Sequence, residues 1–182
     1  MRPAIERALR LAALTLPLAV APLLAQGGSP QVRTTTFMVS VIVDTDCQIS
    51  GAHSLSFGRA QLPSGAVLTL PRLRQLSHVE VSCSPNTRYL LSLDRGDAAE
   101  SSVGQRLLVQ RGNTTAAALR YQLYSDPDFS TIWGDGSSGS ASSISNVGDG
   151  RQQLYTIYAE FPSQTMPEAG IYSSIITASV SF

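Results

Sequence analysis

The sequence predicts an all-β fold, an antiparallel sandwich or barrel, from three observations. Apolar and polar residues alternate with period two through most of the chain, turn-forming residues separate the alternating runs, and no stretch beyond residue 25 reads as a helix. Short strands at this spacing close into two stacked sheets or a barrel. With 182 residues the chain holds one ordinary domain.

The first segment is an address. Arg2, Arg7 and Arg10 precede an apolar run from Leu11 to Leu24, and Ala25 follows before polarity rises at Gln26, Gly27, Gly28 and Ser29. This is the layout of a secretory signal peptide over residues 1–25, cleaved after Ala25, since a cut after Ala21 would leave Pro22 just past it. The apolar run is about 14 residues and contains Pro17 and Pro22, whereas a spanning helix needs about 20. Stable membrane insertion is not expected, and no cysteine follows the run to carry a lipid. Residues 26–44 then form an N-terminal extension and 45–182 the β domain.

The strands follow in order. Phe37, Val39, Val41 and Val43 alternate, with Met38 and Ile42 making the second face partly apolar. Cys47 and Ile49 share one face, as do Val79, Val81 and Cys83 against His78, Glu80 and Ser82. Tyr89, Leu91 and Leu93 form the next run, then Leu119, Tyr121 and Leu123. Gly134 to Gly150, rich in Ser and Gly, reads as a mobile surface loop. Tyr155, Ile157, Ala159 and Phe161 resume the alternation, and Ile176, Ala178, Val180 and Phe182 oppose Thr177, Ser179 and Ser181 in the last run. Ser84-Pro85-Asn86, Arg95-Gly96-Asp97, Asp126-Pro127-Asp128 and Pro167-Glu168-Ala169-Gly170 are the turns between them.

Composition removes several functions. The 13 basic residues are all arginine and are matched by 13 acidic ones. Losing the leader, with its three arginines and Glu6, leaves 10 Arg against 12 Asp and Glu, a charge of −2. No basic face is available for nucleic acid or an anionic membrane. The absence of lysine excludes a phosphate-loop lysine, a Schiff base and a lysine isopeptide crosslink.

Cys47 and Cys83 are the only cysteines, and in an exported chain they read as one inward-pointing disulfide. A redox or metal role is not expected, because there is no CxxC and the two histidines, His53 and His78, supply no ligand cluster. No GxSxG or HExxH motif is present, so an enzyme is not expected and neither catalytic residue nor cofactor is assigned. Asp126, Asp128 and Asp135 fail calcium-loop spacing, with Thr131 where Gly is needed, and read as turn chemistry. Trp133 reads as a packing residue at a strand end, with a sugar-stacking platform together with Tyr121 and Tyr124 as an alternative.

The stretch Phe37-Met38-Val39-Ser40-Val41-Ile42-Val43 leading to Cys47, Leu55-Ser56-Phe57-Gly58, and Val79-Glu80-Val81-Ser82-Cys83 resembles the spore coat protein U domain family, which includes subunits of archaic chaperone-usher pili. Tyr121-Gln122-Leu123-Tyr124-Ser125-Asp126, Trp133-Gly134-Asp135-Gly136 and Ala169-Gly170-Ile171-Tyr172 continue the resemblance, which covers essentially the whole mature chain. It departs at Ser174, where an Asp is expected.

The resemblance implies an incomplete immunoglobulin-like sandwich that lacks its last strand. A periplasmic chaperone would fill the open groove first. The extension of a neighbouring pilus subunit would then replace the chaperone strand at an outer-membrane usher, which is β-strand addition between chains. Thr34 to Val43 would be the donor, offering Phe37, Val39, Val41 and Val43. Burying these four side chains is worth roughly 6 to 12 kcal/mol before ordering costs. The acceptor edge would be the strand carrying Ile176, Ala178, Val180 and Phe182, whose terminal carboxylate would meet basic chaperone residues. The expected protein is exported through the periplasm to the cell surface or an extracellular fibre, as a shaft or adaptor subunit serving adhesion or biofilm. A first strand paired within its own domain, a non-polymerising coat or envelope protein, and a carbohydrate-binding module are the alternatives.

Overall fold

The computed structural model describes residues 31–60, 69–113, 115–137 and 141–182; the expected signal peptide lies outside them. The chain divides into two units, Met1–Val41 and Ile42–Phe182. In the first, residues 31–41 are exposed and carry no regular secondary structure. The second is all β, with no helix among the described residues.

Its strands are β1 (Cys47–Ala52), β2 (Thr69–Leu70), β3 (Leu73–Cys83), β4 (Arg88–Leu93), β5 (Arg106–Gln110), β6 (Leu119–Tyr124), β7 (Ile132–Trp133), β8 (Ala141–Ser142), β9 (Ile144–Val147), β10 (Gln152–Phe161), β11 (Gln164–Thr165), β12 (Tyr172–Ser173) and β13 (Ala178–Ser181). The large sheet runs β1-β3-β10-β6-β5-β12, with β7 on β6 and β8 on β7; the second runs β13-β4-β9, and β11 pairs with β2. All pairings are antiparallel except the two-residue β7–β8 pair, which is parallel.

The period-two pattern decides what is buried. On β3, Val79, Val81 and Cys83 are buried while His78, Glu80 and Ser82 are only half-buried. Tyr89, Leu91 and Leu93 of β4 meet them from the other sheet, joined by Leu119, Tyr121 and Leu123 of β6 and by Ala159 and Phe161 of β10 in one core. The β3–β10 ladder is unbroken from Leu73 opposite Phe161 to Ser82 opposite Gln152. Cys47 lies opposite Cys83 in the β1–β3 register, and the two form a disulfide.

Two expectations need correction, and one strand was not anticipated. Phe37 to Val43, read as a half-buried alternating strand, forms none among the described residues, because alternation only prepares a segment for pairing and none of the described strands pairs with it. Gly134 to Gly150 is not all loop: β8 and β9 lie within it, and β9 pairs with β4 from Arg88 opposite Val147 to Leu91 opposite Ile144. β5 adds a strand that alternation hides, since its inward position is held by Arg106.

Candidate functional site

β1 and β13 are edges, one of each sheet, and each pairs with a single neighbour, β3 and β4 respectively. β1 and β13 touch each other, and the sandwich opens past the end of β1 and ahead of the start of β13. A cavity of about 810 Å³ lies between a rim formed by residues 52–60 and a rim formed by residues 166–178. Its floor is the inner face of the large sheet, with Leu119, Tyr121, Leu123, Ile157 and Phe161, and Leu55 and Phe57 line it from the first rim. Interiors at native packing density leave few voids larger than a water molecule, so an apolar opening of this size is space the chain does not fill.

The second rim is held by carboxylates as well as by strand pairing. Asp94 Oδ1 accepts hydrogen bonds from the Thr177 and Gly96 amides, at 3.0 and 2.9 Å. Asp97 Oδ1 accepts from the Ile175 amide at 2.9 Å, and its other oxygen pairs with the Arg111 guanidinium. The Ile175 amide first, and then Arg111, hold the Asp97 carboxyl below its usual range. Gly96 has φ +86°, and a Cβ there would fall 2.5 Å from Ser174 Oγ, so glycine at this turn lets the rim approach β4.

The structure divides the anticipated site residues. Ile176 and Ala178 line the cavity; Val180 packs half-buried against the core, and Phe182 is 58% exposed. Phe37, Val39, Val41 and Val43 are each more than four-fifths exposed, as are Met38 and Ile42, so exposure does not separate the two faces of that segment.

The sugar-platform alternative is overturned by burial. Trp133 is fully buried and its indole N–H donates to the Leu91 carbonyl at 3.2 Å; Tyr121 is buried as well. The Trp133 ring offers no face to a ligand, and Tyr121 belongs to the groove floor instead of an outer platform. Tyr124 instead meets Phe129 edge-on, and the Arg74 guanidinium covers Phe129 at 3.9 Å. Asp126 accepts from the Asp128, Ser130 and Thr131 amides, and Asp135 accepts from the Ser137 amide, which is turn chemistry.

Two features escaped the sequence reading. Arg106, fully buried, donates to the Asp94 carbonyl through Nε and Nη2, to the Trp133 carbonyl through Nη2, and to Gln122 Oε1 through Nη1. Burial lowers its pKa. His53 and His78, expected to supply no ligand cluster, lie side by side with Glu80.

An immunoglobulin-like sandwich with an apolar groove between the segment that follows β1 and the segment that precedes β13 defines the class: a β domain open along one side. The chain belongs to the Spore Coat Protein U domain family, whose model matches residues 33–179. No curated protein matches it. Among solved structures, it is similar to a chain of the CsuC–CsuE chaperone–tip adhesion subunit pre-assembly complex from archaic chaperone-usher Csu pili of Acinetobacter baumannii, at 23% identity and TM-score 0.53. That match covers 77% of this chain and 40% of the other, so the chain spans less than half of the protein it matches. The E. coli Hda pilus minor tip subunit HdaB matches at 10% identity and TM-score 0.33, covering 74% of this chain and 79% of that one. The second value is too low to bear on the fold. Among the described residues no helix is long and apolar enough to cross a membrane.

Proposed function

We propose that the chain is an exported structural subunit of a chaperone-usher type surface pilus or coat, assembling head to tail by donor-strand exchange for adhesion or biofilm. The observation that carries this reading is the apolar groove of about 810 Å³ between the rims at 52–60 and 166–178. Thr34 to Val43 is the complementary part. Its ten residues span about 33 Å when extended, and its apolar side chains stand exposed with no strand partner among the described residues. A periplasmic chaperone occupies the groove first, and the next subunit's extension replaces it at an outer-membrane usher. The chaperone–subunit complex of the Csu system supports this order by analogy of fold.

A chain lacking residues 26–43 tests the reading. It is expected to fold, to bind a peptide of sequence Thr34 to Val43, and to lose polymerisation. A stable monomer indifferent to the peptide would overturn strand exchange and leave the non-polymerising coat protein as the better reading.

A further inference from the structure

His53, His78 and Glu80 come together because β1 carries a bulge. Cys47 opposes Cys83 and Ile49 opposes Val81, but the next registered pair is Gly51 opposite Glu80, so Ser50 is an extra residue. The inserted residue shifts the alternation by one. Without it, His53 would continue the inward series of Cys47 and Ile49; with it, His53 falls beside His78 on the outer face, its amide donating to the His78 carbonyl at 3.1 Å. Ser77 Oγ donates to the His53 carbonyl at 2.6 Å and fixes the backbone from the other side. The imidazole centroids stand 3.9 Å apart.

Glu80 completes the group. Its Oε1 lies 3.7 Å from His78 Nε2 and 3.9 Å from His53 Nε2, and the three donor atoms are all within 4.8 Å of one another. Gly51 makes room for this carboxylate, since a Cβ there would lie 2.9 Å from Glu80 Oε2. The missing side chain lets the carboxylate lie across β1.

We propose that His53, His78 and Glu80 form a binding site for a divalent transition metal of the zinc, nickel or copper class. Two imidazole nitrogens and one carboxylate oxygen are the donors such ions take, whereas calcium and magnesium require more oxygen ligands. Zinc bonds of about 2.0–2.2 Å in tetrahedral geometry place ligand atoms roughly 3.5 Å apart, so the histidine–carboxylate distances need only a small adjustment. The side chain of His53 is 58% exposed and free to make it. The exposed side leaves a fourth position for water or for a donor from another molecule. His53 and Ala52 also line the groove, so a bound ion ties the start of the first rim to β3.

The test is a zinc titration of the untagged, exported chain against a competing chelator. One equivalent is expected to bind, and His53→Ala, His78→Ala and Glu80→Gln are each expected to weaken binding by about tenfold or more, with near-ultraviolet circular dichroism verifying the fold. Gly51→Ala removes no ligand but crowds Glu80, and is expected to weaken binding less than any ligand variant does. Cobalt loaded in place of zinc should give the visible absorption of a nitrogen and oxygen site, lost in His53→Ala. Absence of saturable binding, or unchanged affinity in the folded His53→Ala, His78→Ala double variant, would overturn the proposal. Both results are independent of strand exchange.

Discussion

Arg106 places a fully buried guanidinium among backbone carbonyls, with no carboxylate at ion-pair distance among the described residues. Its planar fork answers the Asp94 and Trp133 carbonyls and the Gln122 side chain at once, tying β5 to β6, to β7 and to the end of β4. An ammonium is a single point and cannot reach them together. Arg106→Lys is therefore expected to destabilise by about 2 kcal/mol or more, because buried acceptors lose their donors; a urea unfolding midpoint unchanged from the wild type would refute this. Nothing in the sequence marks Arg106, since a charged residue between apolar runs ordinarily ends a strand or faces water. Trp133 was readable as a packing residue at a strand end. His53 was not readable as a neighbour of His78, because a one-residue bulge reverses the face of everything after it and leaves no mark in the alternation.

At the scale of elements, legibility followed pairing. β4, β6 and β10 alternate cleanly in sequence, so their existence and inward apolar faces were plain, although β6 also buries Gln122 on its other face. β9, with Ile144 and Val147 among polar residues, owes its strand to β4 and looked like loop. The last element shows how weak pairing is reinforced: β13 has one neighbour, and the segment before it hangs from Asp94 and Asp97. Asp97 has a depressed folded pKa, so the stability it contributes is fully present above the ordinary carboxylate pKa near 4 and is lost as pH falls through the lower folded value. Asp97→Asn should lower Tm at pH 7 and flatten the fall in Tm between about pH 4 and pH 2. Parallel Tm curves for the two proteins over that range would refute the assignment.

For the whole molecule, the open groove means the domain must stay folded with part of its core unfilled, and the Cys47–Cys83 bond stands against that deficit. Closing a loop with a sequence separation of 36 stabilises by about 4 kcal/mol in the chain-entropy model. Reduction, or Cys47→Ser with Cys83→Ser, should lower Tm by roughly 10 °C. A shift below about 3 °C would mean that the reduced chain keeps its β1–β3 register by packing alone. The family and the all-β architecture were legible from the ordered motifs, and an open groove was implied by the resemblance, whereas the residues that line the groove were not. That lining is a property of where edges end and what lies between them, which no single segment carries.

The same bond also has a mechanical consequence. In the proposed fibre, joined through the extension, tension would enter the folded unit from residue 46 and meet β1, a bulged edge strand that would peel one hydrogen bond at a time. Cys47, the first residue of β1, is instead covalently joined to the last residue of β3. The pull would bypass β1 and pass into β3, which is held by its ten-residue ladder with β10. Its bonds would then share the force, and the bulged edge strand that leads into the first rim would be spared from carrying the load.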